Sequence, residues 1–197
     1  MNITDMLLTP NEYSRPQKRL VRVMAIVMHW TANPNATAKQ NRDYYEARKT
    51  GMGGYGSAHY IIDRDGTVIR CIPESEIAYH CGSSKTDPES GHIYTDWARK
   101  HFGHYALHPA VTSPNYVTLG IELCPTDNAG HFTDETIVSA VALCAKLIKR
   151  YKLTADDITT HHNVVGWKNC PKLWTDHPDL FEAFKASVAD YMARGNV

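Results

Sequence analysis

His161-His162-Asn163-Val164-Val165-Gly166-Trp167-Lys168-Asn169-Cys170-Pro171 sets two imidazoles and a thiol in one short stretch, and a lone earlier histidine stands in Val27-Met28-His29-Trp30. A borderline-soft d10 cation such as zinc takes imidazole nitrogen and thiolate sulfur in a tetrahedron, and a catalytic site keeps its fourth position for water. Two histidines and one cysteine meet that requirement. Buried histidines and cysteines are also ordinary core residues, so the surrounding chain has to decide between the two readings.

Working outward, Val21 to Trp30 is a near-continuous apolar run with β-branched residues, the pattern of a strand buried on both faces. His29 then sits at a strand end, where a side chain can project into a cleft. Tyr116 to Leu123 reads as a central strand, apolar apart from Thr118 and Glu122. A carboxylate in such a run is costly to bury without a partner, so Glu122 is either a paired structural residue at the open end or poised for chemistry. Ile158 to His161 is a short strand leading into the histidine pair. Ala58 to Asp63 and Thr67 to Ile72, joined through Arg64-Asp65-Gly66, form a β-hairpin whose Asp-Gly tolerates positive φ. His59 on its first arm either points at the cleft or packs inside.

Helices alternate with these strands. Ala38 to Lys49 is rich in good helix formers. Thr133-Asp134-Glu135 opens a helix with a cap and first-turn acids, and Lys149, Arg150 and Lys152 close it. Ile137, Val138, Val141, Cys144, Leu147 and Ile148 share its inward face. Pro178 starts a last helix with Phe181, Phe184, Val188 and Tyr191 inward. The alternation predicts an α/β protein with a central mixed β-sheet flanked by helices and a site in a groove across strand ends.

The remaining segments read as follows. The residues up to about Leu20 are polar and proline-interrupted, an arm laid over the domain. Gly51 to Gly56 is a flexible loop with neither the preceding strand of a dinucleotide fingerprint nor the Gly-Lys-Ser/Thr of a phosphate loop. Residues 83–115 read as a loop-rich, solvated insertion. Its His92, His101, His104 and His108 lack the cysteine or carboxylate of a known ligand pattern, which argues against a second metal site.

At 197 residues the chain fits a single domain, 1–197, that can bury a sizeable core. Its 43% hydrophobic and 21% charged residues describe an ordinary globular protein. Lys plus Arg equals Asp plus Glu at 21 each, so charge makes no case for a nucleic-acid or membrane partner. Five cysteines fit a thiolate ligand plus buried thiols better than a cystine framework. Cys124 and Cys144 read as core, Cys71 and Cys81 are unassigned, and a disulfide among these four stays open. Met1 to Pro10 lacks the charged start and apolar run of a secretory signal, and no stretch approaches a membrane span. There is no internal repeat or linker.

Four blocks carry a family likeness: Ile26-Val27-Met28-His29-Trp30-Thr31-Ala32; Ser57-Ala58-His59-Tyr60-Ile61-Ile62-Asp63-Arg64-Asp65-Gly66-Thr67-Val68; Leu119-Gly120-Ile121-Glu122-Leu123; and Thr160-His161 through Lys168-Asn169-Cys170-Pro171. In that order they resemble the zinc-dependent N-acetylmuramoyl-L-alanine amidases of the type 2 family, which includes phage lysozyme-like amidases and shares its fold with the peptidoglycan recognition proteins. The resemblance implies a zinc ion held by His29, His161 and Cys170 with water in the open position. It also implies Glu122 as the proton acceptor and Lys168 as the stabiliser of the oxyanion. His161 and His162 compete for the second ligand place. Setting His161 first matches Asn163 and Val164 but leaves one extra residue before Cys170, which a loop absorbs easily. His161 is therefore preferred, with His162 orienting the site from behind. Pro73 to Gly82 resembles the segment lining the family's substrate groove, so His80 is expected to contact substrate or steady the bound water. Some phage relatives carry a catalytic tyrosine where this chain has Ala58, so that role is absent here or filled from elsewhere.

The substrate so implied is peptidoglycan, cut at the amide between N-acetylmuramic acid and the L-alanine of the stem peptide. The protein would act on the bacterial cell wall without a separate wall-binding module, and the sequence leaves its oligomeric state open, with a monomer favoured. Without a signal it would leave by a phage-type pore, or its signal has been trimmed. A non-catalytic peptidoglycan-binding module of the same fold is the alternative, although binding-only relatives typically lose the metal cysteine. A zinc peptidase cutting within the stem peptide would need a different motif, such as the His-Glu-x-x-His helix.

Overall fold

The computed structural model describes residues 2–103 and 112–195. In chain order it contains β1 (Ile3–Asp5), β2 (Ala25–Trp30), α1 (Ala38–Ala47), β3 (Tyr60–Ile62), β4 (Val68–Arg70), α2 (Asp96–His101), β5 (Thr118–Leu123), α3 (Asp134–Tyr151), β6 (Ile158–Thr160), α4 (His161–Val165), α5 (Lys172–Asp176) and α6 (Pro178–Ala193). The strands form one mixed sheet in the order β1-β4-β3-β5-β2-β6. Only the β3–β4 hairpin is antiparallel.

The two apolar runs form the centre. β2 and β5 pair in parallel along their whole length, and the register sets His29 opposite Glu122. Side chains alternate across a strand, and the sequence uses both faces. Ile26, Met28, Leu119 and Ile121 pack with Leu143, Leu147, Phe184 and Val188, beneath α3 and α6. Ala25 and Val27 pack on the opposite face with Ala98, Phe102, Val164 and Val165. By the same alternation His29, Thr118, Gly120 and Glu122 share that second face. Strand alternation therefore delivers one histidine and one carboxylate to a common side of the sheet.

Helix α3 begins where its cap predicts: Thr133 Oγ1 accepts from the Thr136 amide at 3.1 Å. It ends with Lys152 in the left-handed region at φ 56°. Val138, counted on its inward face from sequence, is 65% exposed, so the buried stripe is narrower than the periodicity suggests.

Three expectations change. The N-terminal segment is not only an arm, because Ile3–Asp5 adds a parallel edge strand to β4 and Leu8 is buried. A three-residue strand carries too little alternation to be visible in sequence. The described residues of the stretch 83–115, 83–103 and 112–115, are not wholly a solvated insertion. They contain α2, and Tyr94, Ala98 and Phe102 close the second apolar cluster. His104 and His108 lie outside the described residues. The open question of a disulfide is settled by five free, buried cysteines.

Candidate metal centre in the strand-end groove

His29 occupies the penultimate position of β2. His161 follows β6 directly as the first residue of α4, a helix capped by Thr160, whose Oγ1 accepts from the Asn163 amide at 3.1 Å. The chain then turns at Gly166 and returns, and the Cys170 carbonyl accepts from the His162 amide at 2.8 Å. This short closed loop brings Cys170 back to the strand ends. One donor atom from each of His29, His161 and Cys170 lies within 4.8 Å of the others, and all three residues are buried. The Cys170 Sγ is 3.8 Å from His29 Nδ1.

His161 supplies the test of whether these residues fit a cation. Both of its ring nitrogens are buried without a hydrogen-bond partner. Buried polar atoms in native proteins are nearly always paired, and leaving one unpaired costs on the order of 1–3 kcal/mol. A cation among two imidazoles and a thiolate accounts for one of the two orphaned nitrogens. The donor set is also one that zinc takes.

The hydrogen-bond chain behind His29 fixes its tautomer. The Thr118 hydroxyl donates to the Pro114 carbonyl at 2.8 Å, so its oxygen is left to accept from His80 Nε2 at 3.2 Å. His80 Nδ1, then unprotonated, accepts from His29 Nε2 at 3.0 Å. His29 Nδ1 is left with its lone pair free, on the Cys170 side. A second partner orienting a ligand imidazole in this way is the usual design of metal sites. The His80 ring lies so close over Gly120 that a Cβ there would approach it to 2.6 Å, so glycine is required in β5 at that point.

Burial keeps the imidazoles neutral. It lowers His29 far below its ordinary value, helped by the His161 and His80 rings and by Lys168. His161 falls to about 3 through burial, then the charges of Lys168 and His162. Burial pushes the Cys170 thiol up to about 12, so thiolate formation there requires a cation.

Glu122 faces the same groove. Burial raises its carboxyl to about 7 against the opposing effects of Tyr45 and Lys168. Tyr45 of α1 donates to Glu122 Oε1 at 3.0 Å, while Oε2 is buried and unpartnered. Lys168 is exposed on the groove wall, and its charge acts on His29, His161 and Glu122.

The structure places the three other candidate histidines. His59 does not reach the cleft: it is fully buried, its Nδ1 accepts from the Gly120 amide and its Nε2 donates to the Glu76 carbonyl, each at 3.0 Å. His80 has both nitrogens engaged by His29 and Thr118, so it is not free to contact substrate. His162 joins no donor group among the described residues, and its Nδ1 donates to the Lys168 carbonyl at 3.1 Å, bracing the loop that carries Lys168. His92 and His101 also join no such group; His101 stacks on Trp97. Sequence reasoning missed Tyr45, one tyrosine of an unremarkable helix, and saw Thr118 only as a polar break in a strand.

An α/β sheet with a buried two-histidine, one-cysteine donor group at its strand ends defines a protein with a candidate metal centre in a groove of about 1610 Å³. The chain belongs to the N-acetylmuramoyl-L-alanine amidase family, whose model matches residues 19–173. It is 33% identical over 187 residues to a probable N-acetylmuramoyl-L-alanine amidase of Bacillus licheniformis, covering 95% of this chain and 47% of that protein. It is 30% identical over 195 residues to the N-acetylmuramoyl-L-alanine amidase BlyA of Bacillus subtilis strain 168, covering 98% of this chain and 48% of that one. The chain thus spans about half the length of these relatives. Among solved structures, a mutant endolysin from Bacillus subtilis superposes with a TM-score of 0.68 at 20% identity, covering 95% of this chain and 99% of that one. That similarity carries the fold.

Proposed function

We propose that this chain hydrolyses the amide between N-acetylmuramic acid and the L-alanine of the stem peptide in peptidoglycan, using a zinc ion held by His29, His161 and Cys170. The observation that carries the reading is the convergence of those three donors around a histidine with no other partner, one strand away from a buried carboxylate. When bound, the cation supplies Lewis acidity, acidifying a water and polarising the scissile carbonyl.

The chain's own residues do the rest. Glu122, through its free Oε2, accepts the proton of the attacking water and delivers it to the nitrogen of the leaving amine. Burial raises that carboxyl to about 7 in the absence of a cation, and the same desolvation makes its carboxylate a stronger base. The Lys168 ammonium offsets charge developing on the carbonyl oxygen. The Thr118–His80–His29 chain holds the first imidazole in the tautomer that leaves Nδ1 free. The wide groove suits a glycan strand with its peptide, and the place of action would be the bacterial cell wall, as for an endolysin.

Digestion of purified cell wall, with and without a chelator, tests this. The expected result is newly exposed L-alanine amino groups that disappear on chelation. Binding without release would indicate a recognition module, and other new N-termini a stem peptidase.

A further inference from the structure

We propose that Tyr45 is the positioning residue for the Glu122 base: its phenol holds Oε1 and leaves Oε2 as the one oxygen without a protein partner. The inference rests on the hydrolase reading above for its kinetic consequences but on geometry for its substance.

A carboxylate at the end of a strand has a broad terminal torsion, so burial alone does not decide which oxygen faces the reacting atoms. Two facts do. The Tyr45 hydroxyl is 3.0 Å from Oε1, and Oε2 is buried with no partner at all. The two oxygens of one carboxyl are therefore made inequivalent by a donor from another element. Tyr45 comes from α1, which is anchored just past the ends of β3 and β1 rather than on β5, the strand that carries Glu122. Thr37 caps it, and the Ala38 amide donates to Asp63 at the hairpin turn at 2.7 Å. Next to it, Arg42 binds the carbonyls of Met6 and Leu7, at 2.9 and 2.7 Å. The phenol is thus delivered from a fixed frame. Burial and the neighbouring carboxylate push the Tyr45 hydroxyl well above its ordinary value, so it stays a donor throughout the working range. No other side chain among the described residues donates to Glu122, and Lys168 acts on it through its charge.

The test is Y45F, which keeps the ring packed against the apolar cluster that contains Leu8, Ile61 and Cys71 and removes only the hydroxyl. The expected result is a fall in kcat of roughly tenfold or more, a share of the 10²–10⁴ that a positioned base contributes, with KM and zinc content unchanged. In an E122Q background the same substitution should have no further effect on kcat, because there is no base left to position. Equal losses in both backgrounds would overturn the proposal, since a merely structural tyrosine would act additively. A second measurement does not depend on turnover. A crystal structure of Y45F should show the Glu122 carboxylate rotated from its wild-type place, and an unmoved carboxylate would also overturn it. If the wild-type chain releases no L-alanine amine from walls, the amidase reading fails, while the crystallographic comparison still decides the role of Tyr45.

Discussion

Glu122→Gln in metal-free protein probes the electrostatics of the site without any substrate. Glu122 is 9% exposed, and burial lifts its carboxyl from an ordinary 4.5 to about 7. Because the folded value lies above the unfolded one, the fold favours the neutral acid. Below 4.5 the group is protonated in both states and has no effect. As pH rises, the unfolded chain ionises first, and the folded state loses stability until about 7, where the loss levels off. At about 1.36 kcal/mol per pKa unit, the full loss is about 3 kcal/mol. Glutamine has nearly the same shape and does not titrate. The stability of E122Q relative to wild type should therefore increase by about 2 to 3 kcal/mol between about pH 5 and about pH 8, read from urea midpoints in the presence of a chelator. The buried histidines titrate in both proteins and cancel in the difference. Adding zinc should shrink the gain, since a nearby cation favours the carboxylate. A difference that stays flat across this range would refute the assignment of Glu122 as a buried, desolvated acid.

Cys170→Ser should abolish zinc retention after dialysis and, with it, amide release, measured by metal analysis beside the wall-digestion assay; full zinc content in that variant would exclude Cys170 as a ligand. Thr118→Val removes the end of the chain that sets the His29 tautomer, and zinc affinity should fall by roughly 10- to 100-fold in a competition titration. An unchanged dissociation constant would show that the tautomer is set by something else. Burial tends to raise Glu74, but bonds from Tyr151, Tyr60 and Arg150 outweigh it and hold its carboxyl below 4.5. A lowered carboxyl stabilises the fold above its unfolded value and loses that contribution as pH falls through the folded one. Glu74→Gln should therefore destabilise at neutral pH, with the gap to wild type closing on acidification in thermal melts. A gap that is constant with pH would count against that network.

Much of the architecture was legible because it is written in local periodicity. The apolar runs around Ile26 and Ile121 require doubly covered strands, Asp65-Gly66 marks a hairpin turn, and the Thr133 cap with its acids starts α3 where it is observed. Each of these signals involves residues within a few positions of one another, and the energetics that enforce them are local. The candidate site was drawn instead from the family resemblance: His29, Glu122, His161, Lys168 and Cys170 stand in or beside such elements, but their roles came from four blocks taken in order.

What these side chains do to one another required the tertiary structure. His59, His80 and His162 look alike in sequence, and only the packing distinguishes a histidine binding two backbone groups, one that orients His29, and one that braces the Lys168 loop. Tyr45 meets Glu122 across 77 positions of chain, and residues 83–115 acquired an apolar cluster only by meeting β2 and α4. The sequence by itself determined the central strands and the long helices and which residue types could bind a cation, because those depend on neighbours along the chain. The tertiary structure alone decided tautomers, free lone pairs and which carboxylate oxygen is left open, because each depends on a partner supplied by a distant segment.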